Sequence, residues 1–164
     1  MSIAHAMLGE FEHESKITRK FLERIPQDKL GWKPHEKSHT AGALALHIAN
    51  VPGNVVRSAL LDESPLPDFA ALFKQPATVQ DILRSHEKST ETVREILPTL
   101  DDARLMTSWS AMRDGKAVLT MPKVMFLRSI MLNHWIQHRG QLGVYLRLIG
   151  AKVPSSYGPS GDEG

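Results

Sequence analysis

The chain has 164 residues, 41% of them hydrophobic and 23% charged, close to globular averages and long enough for one domain with a substantial core, which argues against disorder and fibrous repeats. Lys and Arg number 20 against 18 Asp and Glu, so the formal charge is +2, too small and scattered an excess for a phosphate-backbone surface. With no cysteine, disulfides, thiolate metal ligation and a cysteine nucleophile are excluded, and no run nears the roughly 20 apolar residues of a membrane span, so a cytoplasmic protein without nucleic-acid or membrane partners is expected.

Ile3, Met7, Phe11, Phe21, Leu22 and Ile25 recur at helical spacing and predict a first helix over about residues 2–25, ended by Pro26. Residues 26–40, with two prolines, Gly31 and Trp32, read as an ordered loop. Ser38 or Thr40 can cap a second helix that carries Leu44, His47, Ile48 and Val51 on one stripe. Pro52 interrupts that stripe, but Val55, Val56, Leu60 and Leu61 resume it, so a kink is expected rather than a stop. Pro65, Pro67 and Pro76 break regular structure over a long crossover. Thr78 with Asp81 resembles a capping box that opens a third helix bearing Val79, Ile82, His86, Val93, Ile96 and Leu97.

Asp101-Asp102 reads as a cap or turn, and Asp114-Gly115 predicts a small peripheral β-hairpin before the last helix. That helix starts after Pro122, runs to about Gly150, and aligns Val124, Leu127, Met131, His134, His138, Leu142, Tyr145 and Ile149 on one face. Residues 151–164 form a Pro/Gly/Ser-rich tail. Four amphipathic helices without a strand–helix alternation point to an all-α single domain over residues 1–164, an antiparallel four-helix bundle with one long crossover.

The chain's eight histidines carry the chemistry. His134 and His138 are four apart on a helix, so their side chains stand one turn apart on the core stripe, where His47 of the second helix can supply a third nitrogen. Three neutral imidazoles around a divalent ion leave positions open for water or substrate, as catalytic sites do. Hydrogen-bonded core histidines explain the same spacing without an ion. His35 and His39 are also four apart, but in the loop before the second helix, and are expected to face solvent or cap; His5 and His13 are expected at the surface. Trp32, Trp109 and Trp135 serve packing first, with a pocket wall as the alternative.

Leu46-His47-Ile48-Ala49-Asn50, the run His134 to Leu142, Gly31 to Ser38, and Val153-Pro154 followed by Tyr157-Gly158-Pro159-Ser160 together resemble the DinB/YfiT-like family, which is distinct from the DNA polymerase of similar name. The resemblance implies a bundle in up-down-down-up order, often a homodimer, with a divalent metal, commonly nickel or zinc, on histidines matching His47, His134 and His138. Cobalt and iron suit the same donors. It further implies S-transferase or isomerase chemistry with a low-molecular-weight thiol such as bacillithiol or mycothiol, or hydrolysis through activated water. Two other functions use the same residues: a non-catalytic, stress-related metal- or ligand-binding protein, and a helical interaction module whose histidines fill the core.

Around the three histidines, Arg139 is read either as orienting an anionic substrate or bracing the helix, or as a surface residue that is solvated or salt-bridged. Gln141 either bonds a ligand's second nitrogen or is exposed. His86 is read as core packing, with a fourth ligand or a proton shuttle as the alternative. Gly140 suggests close approach of the first helix or the hairpin.

Overall fold

The computed structural model describes residues 2–163; Met1 and Gly164, the outermost positions of the expected domain, lie outside them. Helix α1, Ile3–Glu23, begins where the Ser2 hydroxyl accepts from the His5 amide and buries Ala4, Met7, Phe11, Ile17, Phe21 and Leu22. Helix α2, Ala41–Ala59, is capped by Thr40. It continues through Pro52 and is buried on most of its circumference, as its run of Ala, Leu, Ile and Val demands. Between α2 and the next helix lies strand β1, Glu63–Pro65. Helix α3, Val79–Ile96, opens with both halves of the Thr78–Asp81 capping box made. The short helix α4, Asp102–Met106, starts at Asp101, whose carboxylate accepts from the Arg104 amide at 2.6 Å, so the acidic pair caps.

Strands β2, Ser108–Arg113, and β3, Lys116–Pro122, form the expected hairpin, turning at Asp114 and Gly115 with positive φ at both. The all-α class needs correction, because β1 pairs in parallel with β2 and makes a small sheet of order β1-β2-β3 on a mostly helical molecule. Three residues ending in proline carry no alternation, so nothing local announces this strand; it forms because β2 offers a long-range edge.

The last helical run is also less regular than periodicity suggests. It comprises α5, Lys123–Phe126, a π-helical stretch over Leu127–His134, and α6, Trp135–Leu148. Apolar spacing over eight residues does not separate a π turn from an α turn. Such stretches are rare and concentrate at functional sites. At the start of this run the fully buried amine of Lys123 donates to the Leu61 carbonyl and lies 3.2 Å from Asp62, which ties the crossover to the helix.

Helix α2 packs against α3, the π stretch and α6, while α1 packs against α3 and α6. The shared core holds Phe11, Leu22, Leu44, Ile48, Ile82, Leu97, Leu127, Leu132 and Trp135, each worth roughly 1.5–3 kcal/mol on burial. Contact between α2 and α3 is close at Gly53, whose amide donates to Ser89 Oγ at 2.8 Å and where a Cβ would lie 2.9 Å from that oxygen. Residues 151–163 have no regular structure but are fastened by Arg147–Asp162 at 2.8 Å and Arg24–Glu163 at 2.5 Å. Among the described residues no helix is long and apolar enough to cross a membrane.

Candidate metal centre

Pro52 has no amide hydrogen, so the Ile48 carbonyl four residues earlier loses its helical donor. The indole Nε1–H of buried Trp135 fills that gap at 2.9 Å. This bond fixes α6 to α2 between His47, one residue before Ile48, and His134, one residue before Trp135. A proline that sequence marks as a kink thus anchors one histidine-bearing helix to the other.

His47, His134 and His138 meet on this seam, with one ring nitrogen of each lying within 4.8 Å of the others. His47 Nε2 is 3.2 Å from His134 Nε2, and the ring centroids are 5.5 Å (His47–His134), 5.0 Å (His47–His138) and 4.3 Å (His134–His138) apart. Nitrogens held about 2.0–2.1 Å from one tetrahedral ion stand ~3.3 Å apart, so the His47–His134 separation fits shared coordination. His47 is 5% exposed; His134 and His138 are half-buried, so the cluster has a closed side and an open side. Burial lowers the His47 pKa to about 4, aided by the neighbouring His138 and His134 and opposed by the Leu72 carbonyl. Burial and then His138 lower that of His134 as well. Neutral rings keep their lone pairs available for a cation. This group could hold a metal ion.

A hydrogen-bond chain orients His138. Its Nδ1 lies 2.9 Å from Gln141 Oε1, Gln141 Nε2 donates to Tyr145 Oη at 3.5 Å, and Tyr145 donates to the His39 carbonyl at 3.3 Å. The direction of this chain puts the proton on His138 Nδ1 and leaves Nε2 as the lone-pair nitrogen. Gln141 therefore bonds the second nitrogen of His138. Trp32 meets Tyr145 edge-on at 5.7 Å and backs the chain.

Two residues at the centre escape sequence reasoning. Phe73, from the irregular crossover, stacks on His47 at 4.3 Å and on His39 at 3.6 Å between centroids. His39 is exposed as expected, yet its ring forms part of the wall of the centre. No local pattern marks Phe73, since stacking across the crossover has no sequence period. His35 is exposed, and its Nδ1 accepts from the Lys37 amide at 3.2 Å; His5 and His13 are exposed.

The remaining candidates lie elsewhere. Arg139 is not a solvated surface residue: it is 2% exposed and binds Glu14 Oε2 at 2.5 Å and Tyr157 Oη at 2.8 Å. It braces α6 against α1 and the C-terminal segment, next to His138. His86 is buried on α3 with Nε2 3.3 Å from Ser15 Oγ, outside the histidine group. Close approach does not explain Gly140, because a Cβ there would meet nothing within 4 Å. Trp135 stacks on Phe11 at 5.3 Å and Trp109 on Phe126 at 3.7 Å, both as packing.

The model of the DinB family matches residues 1–164. The uncharacterized protein YrdA of Bacillus subtilis is 27% identical over 158 residues, which cover 95% of this chain and 89% of YrdA. The uncharacterized protein YjoA of the same organism is 25% identical over 92% of this chain and 93% of its own. In fold the chain is similar to a crystal structure of a DinB-like protein from Bacillus cereus, with a TM-score of 0.75 at 24% identity, covering 95% of this chain and 98% of that one.

Proposed function

The chain belongs to the DinB family, and on that premise we propose that it is a divalent-metal-dependent enzyme in which His47, His134 and His138 hold the ion. One observation carries this: three imidazoles from two helices converge while Gln141 ties off the outward nitrogen of His138. An ion bound there supplies Lewis acidity that favours the deprotonated form of a thiol or water, with nickel or zinc the first choice and cobalt or iron the next. His47 closes the inner side against water, and the half-buried His134 and His138 leave an approach for a small molecule. With no cysteine in the chain, sulfur chemistry draws on a low-molecular-weight thiol cosubstrate, so the reaction is S-transfer to an electrophile or, with water, hydrolysis. In this reading the four long helices form one up-down-down-up bundle domain that pairs as a cytoplasmic homodimer.

Elemental analysis of the purified protein and of His47→Ala tests the site: a stoichiometric ion in the first and none in the second is expected, and equal content overturns it. Turnover assays with thiols plus electrophiles, and with esters, test the chemistry. The alternative of a metal- or ligand-binding protein without turnover has one observation in its favour, the Phe73 ring lying over His47. Metal-dependent turnover excludes it; metal uptake without turnover selects it.

A further inference from the structure

The Phe73 ring is nearly parallel to both rings it touches, at 1° to His39 and 24° to His47, with centroids 3.6 and 4.3 Å away. Two rings cannot share one face of a phenyl group at those distances without overlapping, so His39 and His47 lie on opposite faces. They are the walls of a slot one ring thick, and Phe73 fills it. The walls stand on anchored backbone: His47 sits inside α2, and the His39 backbone carbonyl accepts from Tyr145. The filling is tied more sparsely. The segment carrying Phe73 is tied at Leu66, whose amide donates to the Met112 carbonyl at 2.7 Å, and again at Gln75, which accepts from Thr40 Oγ1 at 2.5 Å. Between those ties residues 67–74 are mostly exposed, the amides of Ala70, Ala71 and Leu72 bond only within the segment, and the Leu72 carbonyl accepts from His47.

We propose that the slot between His39 and His47 is a subsite for a flat aromatic or heteroaromatic ring, and that Phe73 is its internal placeholder, displaced when such a ligand enters. Spacing of 3.6 Å is van der Waals contact between planar groups, and a puckered aliphatic ring is too thick for it. The Phe73 ring also lies 6.2 Å from that of His138, so a ring in its place sets a substituent within reach of the three imidazoles. This names the substrate class of the centre and rests on the function proposed above only for the chemistry at that substituent; the slot itself needs no ion.

The test uses the metal-free full-length chain, titrated by NMR or calorimetry with benzyl alcohol and with cyclohexylmethanol, a flat and a puckered ring of similar size. Phe73→Ala is expected to bind benzyl alcohol about tenfold more tightly than the wild type and to prefer it over cyclohexylmethanol, as an emptied apolar space takes a matching ring. Phe73→Leu, which keeps the segment apolar, gives the same order with a smaller gain. Adding His39→Ala to Phe73→Ala removes the gain. Equal binding of the two alcohols, no gain over the wild type, or a gain that survives His39→Ala overturns the slot. Metal content measured on separate samples reports on the histidine site independently, so failure of one is not failure of the other.

Discussion

His47 and His86 are both buried and both held at a pKa of about 4, with loss of hydration the largest cause in each, yet their surroundings are opposite. Around His86 the hydrogen bonds run in one direction. Thr90 donates to the His86 carbonyl at 2.9 Å, which leaves Ser15 to donate to Thr90 Oγ1 at 3.0 Å and His86 Nε2 to donate to Ser15 Oγ at 3.3 Å. One nitrogen is thereby spent inside a closed hydroxyl ring, and Nδ1 is a buried acceptor without a partner among the described residues. Two ion pairs also form at the nearby cleft, Arg94 with Glu12 at 2.5 Å and Arg19 with Glu23 at 2.8 Å. His47 instead faces two further imidazoles. Depressed basicity therefore marks burial in both places, and only convergence of lone pairs separates a candidate ligand from a core residue.

Substitution by alanine breaks the contrast most sharply. Since structural zinc sites draw roughly 10–16 kcal/mol from their ligands, losing one of three imidazoles is expected to weaken zinc or nickel binding by about a thousandfold or more. His47→Ala and His134→Ala should both show this in a competition titration, whereas His86→Ala should bind as the wild type does. Equal losses in all three would erase the distinction.

Acid sharpens it next. A histidine with folded pKa near 4 and an unfolded value near 6.5 binds more protons when unfolded, so its contribution is full above 6.5, falls as the pH drops, and is lost by about 4. The metal-free protein should lose on the order of 3 kcal/mol from His86 across that window. In urea melts at pH 7 and pH 4.5, His86→Leu should show a smaller difference than the wild type; an unchanged difference would mean that His86 is not held neutral.

Removing the support of His138 comes third. Gln141→Leu is expected to lower metal affinity by about 10–100-fold with little change in thermal stability. Ser15→Ala is the mirror case and the smallest, about 1 kcal/mol of stability from a long hydrogen bond, with metal affinity untouched.

How much of this was legible in the sequence follows the range of each interaction. The long helices, their caps at Thr40, Thr78 and Asp101, and the His134–His138 pairing rest on local periodicity and composition, and the structure places those elements within a few residues of the expected bounds. Meeting of His47 with that pair is long-range but follows from each lying on an apolar stripe. Strand β1, the burial of Arg139 by Glu14 and Tyr157, and the Phe73 stack had no such signal, because each depends on a partner that only the assembled fold supplies. The π stretch stayed hidden for a different reason: the side-chain pattern over Leu127–His134 suits either helical pitch.

Trp135, fully buried, bonded to the Ile48 carbonyl and adjoining His134 in the chain, also gives the protein an optical reporter of its own centre. Ions with open d shells, nickel and cobalt among them, quench indole emission at short range, and closed-shell zinc does not. Loading with the two kinds of ion should therefore dim the near-ultraviolet fluorescence to different extents, and replacing Trp135 by phenylalanine should abolish most of that difference without any extrinsic dye.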